Sequence, residues 1–322
     1  MKKIFLNVAI LSSTLVAFAQ SGTNSPYSRY GIGILSDQSG SFNRGMNGLG
    51  IGFYEHNQVN YLNPASYSQL DSLTFIFDAG VSGQITNFKE GNVKKNAKNA
   101  DFEYAVAGFR VARRLGVSFG VSPLSNVGYN YAITNYVNSS KTATFQNTYK
   151  GSGGLHQAYL GLGWILFKRF AIGANVSYVW GEINRSLVNS YSESGVNSIS
   201  KKYSVSVNNY KIDLGAQYSI GLGKKDNLIL GAVYGLGHNL DADLTCDVIS
   251  SNQQTATADT AKYTITNGLE LPKAYGFGMM WMHRDSWRFG IDYQTQKWGD
   301  LKMPLYSNKV SKATYQLVDG LY

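Results

Sequence analysis

The chain has 322 residues, with 29 lysines and arginines against 20 aspartates and glutamates, and a single cysteine. Aromatic residues make up 13% of it and charged residues only 15%, below the ~25% typical of soluble domains. These values exclude a disordered chain, because so many aromatic side chains offer ample surface to bury, and they exclude a disulfide scaffold, because Cys246 has no partner. Abundant tyrosine and glycine with few charges is typical of a large β protein.

The first predicted element is an export signal over residues 1–19. Lys2 and Lys3 precede an apolar run, and Ala17-Phe18-Ala19 has the small-x-small pattern of a cleavage site, so we expect cleavage after Ala19. No later run reaches the ~18 apolar residues that a membrane-spanning helix needs. The sequence therefore predicts an exported protein without such a helix.

Residues 20–70 form the second predicted unit, which is rich in glycine and contains the triplet Asn63-Pro64-Ala65. Such a sequence favours irregular backbone, which is tolerated at membrane depth only where protein encloses it or where it lines a wet cavity. We predict an N-terminal hatch, or plug, inside a barrel. The alternative is a periplasmic extension.

Nine strands follow, because apolar and small or polar residues alternate with the period of two that marks a β-strand. Most of these segments run ten residues or more, whereas strands of soluble proteins usually have about 5–6 and strands that span a bilayer about 9–11. A soluble secreted sandwich is the alternative. The nine predicted segments are 72–82, 102–112, 115–122, 155–166, 170–181, 210–220, 228–238, 273–283 and 287–294.

Short turns and long connections alternate along the predicted strands. The turns fall at 113–114, 168–169, 223–227 and 284–286, and the long polar segments, predicted as loops, at 83–101, 124–153, 182–203 and 239–270. Outer-membrane barrels have this rhythm, so we predict an all-β fold, a transmembrane antiparallel β-barrel over residues 71–322. Nine is an odd number for such a barrel, so we expect C-terminal strands beyond this sequence; strands hidden in the long segments are the alternative.

Two blocks of motifs carry a family resemblance. Arg44-Gly45-Met46, Gly48, Gly50 and then Asn63-Pro64-Ala65 form the first block; Leu271-Pro272, Gly276, Gly278, Trp287, Gly290, Asp292-Tyr293 and Trp298 form the second. Together they resemble the hatch and a late strand pair of the FadL family of outer-membrane transporters, and the opening Ser25-Pro26-Tyr27-Ser28-Arg29-Tyr30-Gly31 resembles a Bacteroidetes-type branch of that family. The resemblance implies a barrel of about 14 strands with an N-terminal hatch and a lateral gap towards the bilayer.

The leading functional hypothesis is an outer-membrane channel for small hydrophobic compounds such as fatty acids, whose hatch, around Asn63, Pro64 and Ala65, shifts to release the ligand. Its expected partners are outer-membrane lipid and a small hydrophobic ligand. No basic cluster can be assigned to a fatty carboxylate, so the ligand-binding residues stay unassigned. The rival hypothesis is a non-transporting accessory subunit, similar to the PorV type, of an outer-membrane secretion or barrel-assembly machine, with other outer-membrane proteins as partners.

No pattern in the chain indicates catalysis, a cofactor or a resident metal. The four histidines lack ligand spacing, and no nucleophile motif is present, so we predict that the protein is not an enzyme. The group Asp241, Asp243 and Asp247 is interpreted as solvated loop charge, with a calcium site as the alternative. The lysine-rich run 89–98 is interpreted as a solvated loop; attraction to anionic lipopolysaccharide is one alternative, and nucleic acid is not expected.

Overall fold

The structure is a computed structural model that describes residues 23–137, 142–193, 195–252, 254–284, 286–299, 301–304 and 315–317. The predicted signal over 1–19 and its cleavage site lie outside these residues. In the described part of the chain, no helix has both the length and the apolar character needed to cross a membrane.

Strands dominate the described residues, and three short helices lie in the N-terminal part of the chain. The helices are η1 (Pro26–Arg29), α1 (Ser41–Gly45) and η2 (Pro64–Gln69). In chain order the strands are β1 (Ile34–Leu35), β2 (Phe75–Glu90), β3 (Val93–Ala112), β4 (Leu115–Tyr136), β5 (Thr144–Phe167), β6 (Phe170–Tyr191), β7 (Ser198–Leu222), β8 (Asp226–Gly235), β9 (His238–Asn239), β10 (Leu244–Asn252), β11 (Thr257–Ile265), β12 (Glu270–Leu271), β13 (Ala274–His283), β14 (Trp287–Gln296), β15 (Lys302–Pro304) and β16 (Tyr315–Leu317).

One curled antiparallel sheet organises the molecule. Its main path is β2-β3-β4-β5-β6-β7-β8-β13-β14, so each strand pairs with the next except that β8 pairs with β13. These nine strands are the nine predicted from the period of two, and the predicted all-β, barrel-type fold class is confirmed. In the described part of the chain, β2 and β14 are the two edges of this half-barrel.

The prediction that the four long polar segments are loops was wrong. β4 continues to Tyr136 and β5 begins at Thr144, so most of 124–153 is strand, and 239–270 contains the β10–β11 hairpin that extends the outer end of β7. These segments pair into ribbons because paired strands satisfy their own backbone hydrogen bonds wherever they lie. In these ribbons the inner face is buried in part, with Tyr203, Cys246 and Val248 in an apolar cluster, and the outer face carries polar residues such as Lys202 and Asp247. The apolar outer face that marks a spanning strand is therefore absent.

The apolar faces of the spanning strands point away from the inside of the sheet. Phe77, Leu160 and Ile291 are 67%, 58% and 65% exposed, whereas inward-facing Ser118 and Asn175 are 0% and 4% exposed. A water-soluble sheet would bury its large apolar side chains and expose the small polar ones. The observed arrangement is that of a barrel whose outer wall contacts lipid.

Residues 23–70, called the N-terminal segment below, lie against the inner face of the sheet. Their buried side chains belong to three apolar clusters with inward-facing residues: one contains Ile32, Leu124 and Val179, another Tyr67 and Tyr104, and the third Phe53, Ile229 and Met280. The segment therefore meets the strands along most of its length.

Candidate functional site

Main chain of the N-terminal segment lies directly on glycines of five strands. A Cβ atom at Gly116 would lie 1.8 Å from the carbonyl oxygen of Tyr67, and one at Gly231 would lie 1.9 Å from that of Ile51. Only a residue without a side chain permits so close a backbone approach. The same holds at three further positions, and the five residues are called the docking glycines: Gly116, Gly163, Gly173, Gly231 and Gly278.

The predicted hatch residues Asn63, Pro64 and Ala65 lie together at this contact, all buried. Asn63 caps η2: its Oδ1 accepts a hydrogen bond from the backbone N–H of Ala65 (3.1 Å), and Pro64 occupies the first helical turn, where no N–H is needed. Asn63 Nδ2 donates to the carbonyl oxygens of Ile51 (2.8 Å) and of Ala216 on β7 (3.1 Å). The triplet thus connects the segment to the wall, and its role as a moving gate stays a prediction.

A second connection is built around Ile51, whose side chain is fully buried. Its carbonyl oxygen also accepts a hydrogen bond from Gln217 Nε2 on β7 (3.1 Å), and Gln217 also donates to the carbonyl oxygen of Phe53 (3.0 Å). On the opposite side, Asp292 Oδ2 on β14 accepts from the backbone N–H groups of Gly50 (2.7 Å) and Ile51 (2.9 Å). Both strands therefore hold the main chain of the same loop.

An ion pair and a buried tyrosine hydrogen bond also join the N-terminal segment to the sheet. Arg44 Nη2 lies 2.8 Å from Glu103 Oε2 on β3. The buried Tyr67 hydroxyl donates to Asn175 Oδ1 on β6 (3.0 Å). Burial raises the pKa of the phenols of Tyr61 and Tyr67, so both are neutral throughout the physiological range.

The wall separates between β3 and β4, and the N-terminal segment occupies the separation. The two strands pair only from Ala105↔Val121 to Ala112↔Leu115. Beyond that point, β1 pairs with the free edge of β4 at Asn126 and Ser125. On the other side, the backbone N–H of Ser41 donates to the Tyr104 hydroxyl of β3 (2.6 Å). The segment thus contacts both sides of this seam; the lateral gap implied by the family resemblance stays a prediction.

A cavity of ≈ 370 Å³ lies between the N-terminal segment and the inner face of the sheet, from β4 to β8 and on to β13 and β14. Its walls are mostly apolar, with Ile32, Leu35 and Leu124 among them, and it also contains the Lys211–Asp213 ion pair. Tyr61 lines the cavity, and its buried hydroxyl has no hydrogen-bond partner in the described part of the chain. The space suits a small, largely apolar molecule.

No described residues form a metal site. In the part of the chain that the structure covers, no group of three or more His, Cys, Asp or Glu side chains could hold a metal ion. The backbone at Asp241 is left-handed, Asp243 accepts a hydrogen bond from the backbone N–H of Asn267 (3.3 Å), and Asp247 lies on β10. The calcium alternative for this group therefore finds no support.

Asn63→Asp is expected to destabilise the folded protein by about 2–4 kcal/mol, because both side-chain donors are lost and a carboxylate then faces two carbonyl oxygens. The matched control is Asn130→Asp, which makes the same change at an exposed position on β4. Thermal unfolding followed by circular dichroism checks the difference. Equal melting temperatures for the two variants would show that Asn63 does not anchor the segment.

By sequence, no curated protein matches the chain. Three solved structures share its fold: the CymD monoaromatic hydrocarbon channel (15% identity, 82% of this chain and 70% of that chain, TM-score 0.55), the Ralstonia pickettii toluene transporter TbuX (15%, 87% and 79%, 0.56) and the TodX deltaS2S3 mutant monoaromatic hydrocarbon channel (16%, 88% and 72%, 0.54).

These neighbours confirm the predicted FadL-like fold, which is that of outer-membrane channels for hydrophobic compounds, whereas the Bacteroidetes-type branch stays a prediction. The sequence itself carries a more specific assignment. The profile of the BamG family matches residues 1–320, almost the full length, and the chain therefore belongs to the BamG family.

Proposed function

We propose that this protein is an outer-membrane β-barrel, exported by the signal over residues 1–19, that serves as a non-transporting accessory subunit of a barrel-assembly machine. The match of residues 1–320 to the BamG family supports the proposal. The proposal reverses the order of the two hypotheses drawn from the sequence. It includes no catalytic role.

The observation that carries the proposal is the fastening of the N-terminal segment. A gate that shifts in each transport cycle has to break its contacts with the wall and form them again. Here main chain lies on the docking glycines, and Asn63, Gln217 and Asp292 hold the same short loop. β1 also extends the free edge of β4 within the seam. Contacts of this number and kind support a permanent plug.

A second candidate function is the binding or passage of a small hydrophobic compound. The observation that favours it is the ≈ 370 Å³ cavity with its mostly apolar wall, together with the hydrocarbon channels that share the fold. This candidate does not require the segment to leave the barrel, because a ligand could remain in the cavity as a structural component. Fatty acids are one class within this candidate.

Depletion of the protein in its native host separates the two candidates. An accessory subunit of the assembly machine is expected to co-purify, at fixed stoichiometry and in mild detergent, with the subunit that inserts barrels. Its depletion is expected to lower the amounts of several unrelated folded outer-membrane barrels at least twofold, measured by quantitative proteomics. A change confined to uptake of labelled toluene, with normal barrel amounts, would instead establish the channel.

A further inference from the structure

The β2–β3 hairpin presents three lysines on the same face as its apolar residues. Lys89 is the cross-strand partner of Lys94, and Lys98 is the partner of Ile85. Residues directly opposite each other in an antiparallel pair point to the same side of the sheet, and residues two apart on a strand do so as well. All three lysines therefore share the outer face with Val81, Ile85 and Phe102.

Lys89 and Lys94 lie just beyond the apolar band of this hairpin, and Lys98 lies at its rim, opposite Ile85. From Phe75 to Ile85 the outer face carries exposed apolar side chains, with Val81 at 83% and Ile85 at 69% exposure. Ten residues of strand extend ~34 Å, which a tilt of about 40° reduces to ~25 Å, the height of the lipid-facing band of a barrel. Lys89 lies four residues beyond Ile85 on β2, and Lys94 is its partner across the turn on β3. Both are therefore at the level of the lipid headgroups.

The positions of the short turns show whether the lysine end of the sheet is periplasmic or external. The short turns at 113–114 and 168–169 lie at the end of the sheet where β2 begins, and the lysines lie at the opposite end, with the long ribbons. In barrels of this type the short turns are periplasmic and the long connections external. The three lysines are therefore at the external surface of the outer membrane.

The arrangement is electrostatically unfavourable unless an anion is present. Two like charges directly opposite each other destabilise a strand pair, and Lys89 and Lys94 are such a pair. All three lysines are exposed, and none forms an ion pair with a described acidic side chain. A phosphate group between them would remove the repulsion, since the lysine ammonium is a compact charge that binds phosphate well.

We infer that Lys89, Lys94 and Lys98 form a site for the phosphate groups of the lipid A anchor of lipopolysaccharide in the outer leaflet. The inference rests on the proposed outer-membrane location, but it holds for an accessory subunit and for a channel alike. The apolar residues Val81, Ile85 and Phe102 contact the acyl chains, and the lysines contact the phosphates above them. The site fixes one side of the barrel to the lipid that surrounds it.

Native mass spectrometry of the full-length protein tests the site. The protein is titrated in detergent with bisphosphorylated lipid A or with the same lipid after removal of its phosphates. The variant K89N/K94N/K98N is compared with K168N/K224N/K225N, which removes three exposed lysines at the short-turn end of the sheet. We expect the first variant to bind bisphosphorylated lipid A at least tenfold more weakly and the second to stay within twofold of the wild type. The wild-type affinity should also fall as salt is added.

Three outcomes would overturn the inference. Equal weakening in the two triple variants would show a general charge effect, and equal wild-type affinity for both lipids would show that phosphate is not recognised. Loss of a protein partner with unchanged lipid affinity would assign the lysines to protein binding. If the wild-type protein bound neither lipid, the proposed membrane location itself would be contradicted. That result differs from a failure of the lysine site alone, in which the protein still binds lipid. Circular dichroism shows whether each variant is folded.

Discussion

Gly116→Ala is expected to detach the N-terminal segment from the wall and to lower the melting temperature by several degrees. The new Cβ would lie 1.8 Å from the carbonyl oxygen of Tyr67 and 2.4 Å from its carbonyl carbon. Overpacking by a methyl group typically costs about 1–3 kcal/mol, and the cost here is at the upper end because the obstructing atoms are main chain of a buried helix. Gly231→Ala should act similarly, through the carbonyl oxygen of Ile51.

The matched control for this prediction is Gly83→Ala on β2, where an added Cβ meets nothing within 4 Å. The same chemical change is then made in a strand without an obstructing neighbour, and the melting temperature should stay equal or rise slightly. Limited proteolysis adds a local readout, since a detached segment is cut between residues 23 and 70 before the sheet is. If Gly116→Ala were as stable and as resistant as Gly83→Ala, the docking of main chain on glycine would be refuted.

The spanning strands were predictable because lipid on one side and packed protein on the other impose a strict alternation. The segment 287–294 was predicted as a strand and forms most of β14. The turn at 113–114 was predicted to have two residues, and the structure has a two-residue turn there. The outer ribbons were not predictable for the converse reason. Water on the outer face requires no apolar residue there, so only the inner face, with Leu244, Cys246 and Val248, is apolar, and the β10–β11 pairing is hard to recognise in the sequence.

The candidate site was predictable only in part. Asn63-Pro64-Ala65 is a local motif and could be found, whereas Gln217 and Asp292 act on a loop 166 and 241 residues away, respectively, with no local signal. One signal in the sequence could have indicated the docking surface. Glycine recurs at inward-facing positions of the strands, among them Gly163, Gly173 and Gly231, and such a row marks a place where backbone approaches the wall closely.

Asp292→Ala is expected to cost about 2–6 kcal/mol of folding free energy, because the backbone N–H groups of Gly50 and Ile51 are both buried and both lose their acceptor. Gly278 faces this carboxylate so closely that a Cβ there would lie 2.2 Å from Asp292 Oδ1, so little space remains for a replacing water. Asp292→Asn keeps one acceptor oxygen without the charge and should fall between wild type and alanine. The control is Asp259→Ala, at an exposed position on β11.

Thermal unfolding and the ion current of the full-length protein in a planar bilayer measure different consequences of this change. A melting temperature for Asp292→Ala equal to that of Asp259→Ala would show that the carboxylate does not hold the loop. If stability falls and the current stays at the wild-type level, then Asn63, Gln217 and the docking glycines retain the segment without Asp292, as a permanent plug requires. If the current rises instead, this one carboxylate decides whether the barrel is closed, and the second candidate function becomes the stronger of the two.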